Sequence, residues 1–117
     1  MITVDLPLRL VTLTNRRESR FAASHRARTQ RQAALLRVAN KLLGKTHKAP
    51  YMVIITRYGK QKLDSDDNLN DSAKHVRDGI ADALGVNDGD TSRIRFVYAQ
   101  EIAVKYWVRV EIRSADA

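Results

Sequence analysis

The run Tyr51-Met52-Val53-Ile54-Ile55-Thr56 narrows the possible folds more than any other segment of the chain. It is continuous, apolar, β-branched and too short for a buried helix, so it predicts a strand covered on both faces. Such a strand needs layers around it, and its flanks carry helical periodicity. Residues 18–43 are dominated by Ala, Arg, Gln and Leu, with Gly44 placed to cap a helix and Pro50 beyond it. Leu69, Ala73, Val76, Ile80 and Leu84 form an apolar stripe at helical spacing. The stripe predicts a second helix over 67–84, ended by Gly85.

Residues 2–13 are β-rich and predict an opening strand, with Pro7 at an edge or a bend. Ile94, Phe96 and Tyr98 alternate, and so do Tyr106, Val108, Val110 and Ile112, which gives two closing strands. The connection around residues 99–105 is short enough for a hairpin, although its Gln-Glu-Ile-Ala is poor turn chemistry. The expected order is β-α-β-α-β-β, an α/β (α+β) chain with two main helices packed on a mixed sheet. At 117 residues it is a single domain, 1–117, large enough to bury a core.

Charge is distributed unevenly. Residues 1–62 hold 14 Lys and Arg against two acids, whereas residues 64–90 hold eight Asp against Lys74 and Arg77. The net charge of +8 points to a nucleic-acid partner. A membrane is not expected, because no basic amphipathic helix sits beside an apolar anchor and no apolar run approaches 18 residues. The absence of Cys excludes disulfides and Cys-based zinc, and a soluble, cytoplasmic protein is expected.

An Asp cluster repels a polyanion unless divalent metal lies between them, which is the juxtaposition a metal-dependent nuclease requires. Asp64, Asp66 and Asp67 precede or open the second helix. They read either as Mg²⁺ ligands or as helix-capping acids. One Asp satisfies a cap, and three within four residues repel one another. Asn87-Asp88-Gly89-Asp90 reads as a turn, or as further metal ligands (Asp88, Asp90) at the other end of that helix. Lys74 either neutralises charge developing on a phosphate or pairs with Asp71 or Asp78 on its own helix face. Arg16, Arg17, Arg20, Arg26, Arg28 and Arg31, balanced only by Glu18, form the densest basic run and are candidate phosphate contacts. Arg57, Lys60 and Lys62 form a basic loop leading into the Asp cluster. Trp107 and Tyr98 are read as core or interface residues.

Leu63-Asp64-Ser65-Asp66-Asp67-Asn68-Leu69, followed by Lys74, Val76-Arg77-Asp78-Gly79-Ile80-Ala81-Asp82-Ala83-Leu84-Gly85 and Asp88-Gly89-Asp90, resembles the RusA-type Holliday junction resolvases, closest to their phage-encoded branch. Leu6-Pro7 and Asn15 are weaker echoes of that family's N-terminus. The resemblance spans most of the chain, and its specific part is 63–90. It implies a homodimeric, Mg²⁺-dependent endodeoxyribonuclease, with Mn²⁺ as a substitute, that nicks opposing strands of a four-way junction in recombination and repair. The family's Asp-x-Asp-Asn motif maps its second Asp and its Asn onto Asp67 and Asn68. Strict spacing puts its first Asp at Ser65, so Asp64 or Asp66 would take that place. Asp88 is the implied third carboxylate, ahead of Asp90. The family's basic residue one turn into the helix falls at Asp71 here, with Lys74 a turn later.

A helix over 67–84 is about 27 Å long, whereas the four residues from Leu84 to Asp88 reach back at most about 14 Å. Either the helix starts nearer Asp71, or it kinks, or the acidic ends meet across a dimer, which is the favoured expectation. Two other readings stand beside the resolvase: a non-catalytic basic nucleic-acid-binding protein, and a nuclease acting on other branched DNA.

Overall fold

The computed structural model describes residues 1–11, 19–63 and 66–115, with the side chains of positions 66 and 67 outside that description. Of the candidate residues, Arg16, Arg17 and Asp64 lie outside the described residues. The elements run β1 (Ile2–Leu6), α1 (Arg20–Leu42), β2 (Tyr51–Gly59), α2 (Asp66–Ser72), α3 (Lys74–Leu84), β3 (Ile94–Ile102) and β4 (Trp107–Ser114). The strands form one mixed sheet in the order β1-β4-β2-β3, with β2 and β3 parallel and the other pairs antiparallel. The α+β class and the mixed sheet are as the sequence predicts. No helix among the described residues is long and apolar enough to cross a membrane.

Alternation explains the sheet's inner face. Val4 and Leu6 of β1, Val53 and Ile55 of β2, and Val108, Val110 and Ile112 of β4 are all buried. Ala34 and Val38 of α1 and Val76 and Ile80 of α3 complete that core. α1 crosses α3 at Gly79, where any Cβ would overlap the carbonyl oxygen of Arg31 and lie 2.8 Å from the Ala34 Cβ. Ser19 caps α1 by accepting the Ala22 N–H at 3.1 Å. The buried residues of α1 are Gln30, Ala34, Val38 and Leu42, so its first turns carry no core side chain.

Four expectations are corrected. The last two strands are not a hairpin. β3 continues to Ile102, and the chain then crosses the end of β2 to insert β4 on the other side. The crossing spans two strand spacings, about 10 Å, which four residues cover easily, and the Ala103 N–H donates to the Gly59 carbonyl at 2.8 Å beneath it. Gly59 is needed there, because a Cβ would come within 2.9 Å of the Tyr106 ring.

The expected 67–84 helix is broken at Ala73 (φ −93°, ψ 1°), separating α2 from α3. Asn70, Asp71 and Ser72 are weak helix formers, and the Ser72 hydroxyl donates to the Leu69 carbonyl at 2.7 Å. The apolar stripe survives the break, since Leu69, Ala73, Val76, Ile80 and Leu84 are all buried.

β2 is covered fully on one face only, with Met52 37% exposed on the other. Finally, Arg57 belongs to β2 rather than to a loop. It is buried, and its guanidinium donates to the carbonyls of Leu10 at 3.2 Å and Gln61 at 2.8 Å. Those main-chain acceptors satisfy a side chain that was expected to meet phosphate.

Candidate functional site

The break at Ala73 lays α2 against β3, and Arg77 joins the pieces. Its Nη1 donates to Asn70 Oδ1 of α2 at 2.7 Å and to the Tyr98 hydroxyl of β3 at 2.8 Å. Its Nε lies 3.6 Å from Asp88 Oδ2 in the loop after α3. A second tie lies farther along β3. Gln100 accepts the Leu63 N–H at 2.9 Å and donates to the Leu63 carbonyl at 3.3 Å, holding the backbone immediately before the acidic segment. Asn70, Arg77, Asp88, Thr91, Phe96 and Tyr98 line an open cleft of about 550 Å³ along the edge strand.

Asp88 also lies within hydrogen-bonding reach of Asp78, one turn after Lys74 on α3. Burial, followed by the charge of Asp88, raises the Asp78 carboxyl above its ordinary value, against the opposing pull of Arg31 and Arg77. Two carboxylates in that arrangement favour sharing a proton or a cation. Arg31 of α1 is bound to Asp82 through two hydrogen bonds, 2.7 and 3.1 Å. His75 is held below its usual value by partial burial and then by Lys74, with Arg26 and Arg31 adding to the effect against Asp78.

The sequence candidates therefore divide. Asp88 is half-buried beside Asp78 and Arg77. Asp66 and Asp67 open α2, one turn before Asn70. Lys74 is exposed at the start of α3. Arg20, Arg28, Lys60 and Lys62 are exposed, while Arg26 is half-buried near His75. Asp90 closes its own turn, accepting from the Ser92 backbone at 3.1 Å and hydroxyl at 2.6 Å, and Ser92 lowers its pKa. Asn70, Arg77, Asp78, Tyr98 and Gln100 were missed as site residues. Lys74 and Asp78 were read as sharing one helix face with Asp71, but nothing in the sequence indicated that the Asp88 loop folds back onto it.

Among the described residues no three His, Cys, Asp or Glu side chains gather closely enough to hold a metal. The Asp78–Asp88 pair supplies hard oxygen donors of the kind Mg²⁺ takes with one or two carboxylates and water. No family model and no curated protein matches the chain.

Proposed function

We propose that this chain is a Mg²⁺-dependent, structure-selective DNA endonuclease that resolves four-way junctions as a homodimer. The observation that carries this reading is the Asp78–Asp88 pair, with a raised Asp78 carboxyl, on a cleft tied through Arg77 to the acidic helix α2. Asp88 and Asp78, with Asp67 and either Asp64 or Asp66, would hold the ion. A bound Mg²⁺ or Mn²⁺ supplies a Lewis acid that lowers the pKa of water and neutralises a phosphodiester.

The chain's own residues supply the rest. Arg77 sits 3.6 Å from the Asp88 carboxylate and, through Asn70, holds α2 in place. Lys74, exposed at the start of α3, is available to a phosphate oxygen, and the exposed Arg20 and Arg28 would grip the arms of the junction. The break at Ala73 offers a route by which one chain draws its acidic ends together, so the length of the helix no longer requires a site shared between subunits.

A non-catalytic nucleic-acid-binding protein is the second reading. The pairing of Asp82 with Arg31 and the turn-closing role of Asp90 favour it, since both are structural uses of acids in the cluster. A third reading keeps the nuclease but gives it flaps or forks.

Cleavage of a labelled four-way junction, a flap and a plain duplex, each with Mg²⁺, Mn²⁺ or EDTA, tests all three. Paired symmetric nicks confined to the junction and abolished by EDTA are expected. Cutting of flaps alone would move the substrate, and tight binding without any cutting would favour the second reading.

A further inference from the structure

The opening turns of α1 contribute no buried side chain to the core. Gln30 is the first buried residue of the helix, so roughly 15 Å of it, at 1.5 Å per residue, precedes the buried stretch. Phe21 lies in that part, 82% exposed, the only exposed Phe, Tyr or Trp among the described residues. A solitary apolar residue on a surface needs no explanation. Phe21 is not solitary. Its ring lies within 9° of parallel to the ring of His25, one turn further on, with the centroids 6.5 Å apart.

That separation is just under twice the ~3.4 Å interval between stacked bases. One flat aromatic layer therefore fits between the two rings and can stack on both. The rings themselves are tolerant, because every base offers a π-face. Charge says what kind of aromatic enters. α1 carries six Lys and Arg and no acid. Phe21, His25 and Arg28 follow at i, i+4 and i+7 and so share one helix face. Arg20 and Arg28 are exposed at either end of the ring pair. An uncharged ring would gain nothing from those cations, whereas a nucleotide brings each of them a phosphate.

We propose that Phe21 and His25 form a clamp for one unpaired nucleobase, with Arg20 and Arg28 holding the phosphates on either side of it. A base inside a duplex is stacked on both faces and cannot enter. A base at a branch point, a bulge or a flap has lost a stacking neighbour, and drawing it out costs least. The clamp thus reads what separates a branched substrate from plain duplex. It deepens the junction reading above, from which it takes its DNA partner, but it rests on no step of the cleavage chemistry. Arg26 and Arg31 both act on His75, so the basic part of α1 lies at the Lys74 end of α3. A captured base would therefore sit toward the Lys74 end of the helical layer.

The test is binding of the full chain, in EDTA, to a four-way junction, a duplex with a single-base bulge and a perfect duplex. The wild type should prefer the first two. Phe21→Ala should weaken junction and bulge binding about tenfold or more, the loss expected for one stacked base. Its affinity for perfect duplex, its salt dependence and its melting curve should stay as in the wild type, since the ring is exposed and releases no ions. His25→Ala should lose the same preference. Arg28→Gln should instead weaken all three substrates alike and make the salt dependence shallower. Phe21→Trp should keep the preference, and its added indole should be quenched by junction and bulge but not by duplex. Trp107, the one Trp in the sequence, gives the background, measured on the wild type. A wild type without the preference, a Phe21→Ala protein that keeps it or that loses duplex binding equally, or an unquenched Phe21→Trp would each overturn the inference. Cleavage is read separately with Mg²⁺. A chain that never cuts but shows the ring-dependent preference would retire the nuclease reading and leave the clamp standing.

Discussion

The Arg77 guanidinium donates a 2.8 Å hydrogen bond to the Tyr98 hydroxyl, and the same nitrogen holds Asn70 at 2.7 Å. One side chain of α3 therefore fixes both the edge strand and the short helix carrying part of the acidic segment. Arg77→Met should cost about 1.5–3 kcal/mol in urea unfolding, the usual range for hydrogen bonds to a charged group. It should also speed amide exchange in α2 more than in α1. Tyr98→Phe keeps the Asn70 bond and should cost about 1 kcal/mol.

Gln100 grips Leu63 from both sides of one residue's backbone, directly before Asp64. Gln100→Leu should reduce cleavage at saturating DNA by tenfold or more (about 1.4 kcal/mol on the barrier). Binding and the melting temperature should change little. A variant with wild-type kcat would remove this clamp from the proposed mechanism.

The Asp78 carboxyl titrates above its ordinary value of 3.8 in the folded chain. The folded state therefore holds this proton more tightly than the unfolded state does, so the contribution to stability falls as pH rises from 3.8 through the folded value. Above that window the cost of burying the charged carboxyl, followed by repulsion from Asp88, persists as a constant. Asp78→Asn should flatten this part of the profile and raise the melting temperature at neutral pH. On the metal-binding reading, Mg²⁺ should stabilise the wild type near neutral pH, and Asp88→Asn should lose most of that increment.

His75 has the opposite sign. Partial burial, together with Lys74, Arg26 and Arg31, lowers its folded value below 6.5. The unfolded chain therefore protonates first as pH falls, and stability is lost from about pH 6.5 downward towards the folded value. His75→Gln should remove that slope, as measured by thermal melts from pH 7.5 to 5.

Gly79 sits where α1 and α3 touch, and a methyl group there meets the Arg31 carbonyl. Backbone cannot rotate aside as a side chain can, so Gly79→Ala should destabilise by about 1–3 kcal/mol through overpacking. Calorimetry against the wild type measures it.

Periodicity was a sound guide where one face of an element is apolar. The stripe from Leu69 to Leu84 and the alternation of Val108, Val110 and Ile112 identified buried positions correctly. Periodicity did not reveal the break at Ala73, because the stripe continues through it and only local hydrogen bonding of Ser72 distinguishes the two helices. Nor could it give strand order, since β4 alternates identically whether it pairs with β3 or with β2. Arg57 was misplaced because its apolar run was taken to end at Thr56, whereas β2 continues to Gly59 around a buried guanidinium. Asp88 was singled out by its type and place in the chain. Its partner Asp78 became visible only once the loop folded back onto α3.

The insertion of β4 between β1 and β2 also governs how the chain must be made. β1 spans residues 2–6, and its partners lie at 108–112, more than 100 residues later. Contacts this distant in sequence form slowly. On the ribosome, the first strand would emerge with no neighbour, and the sheet would keep an open slot at its centre until the final strand cleared the exit tunnel. Helical pairing of α1 with α3 can precede that moment, but closure of the sheet cannot. From the completion of β2 until β4 is available, a nascent chain of this protein therefore exposes two unsatisfied strand edges, on β1 and on β2, the interval in which a chaperone would have most to protect.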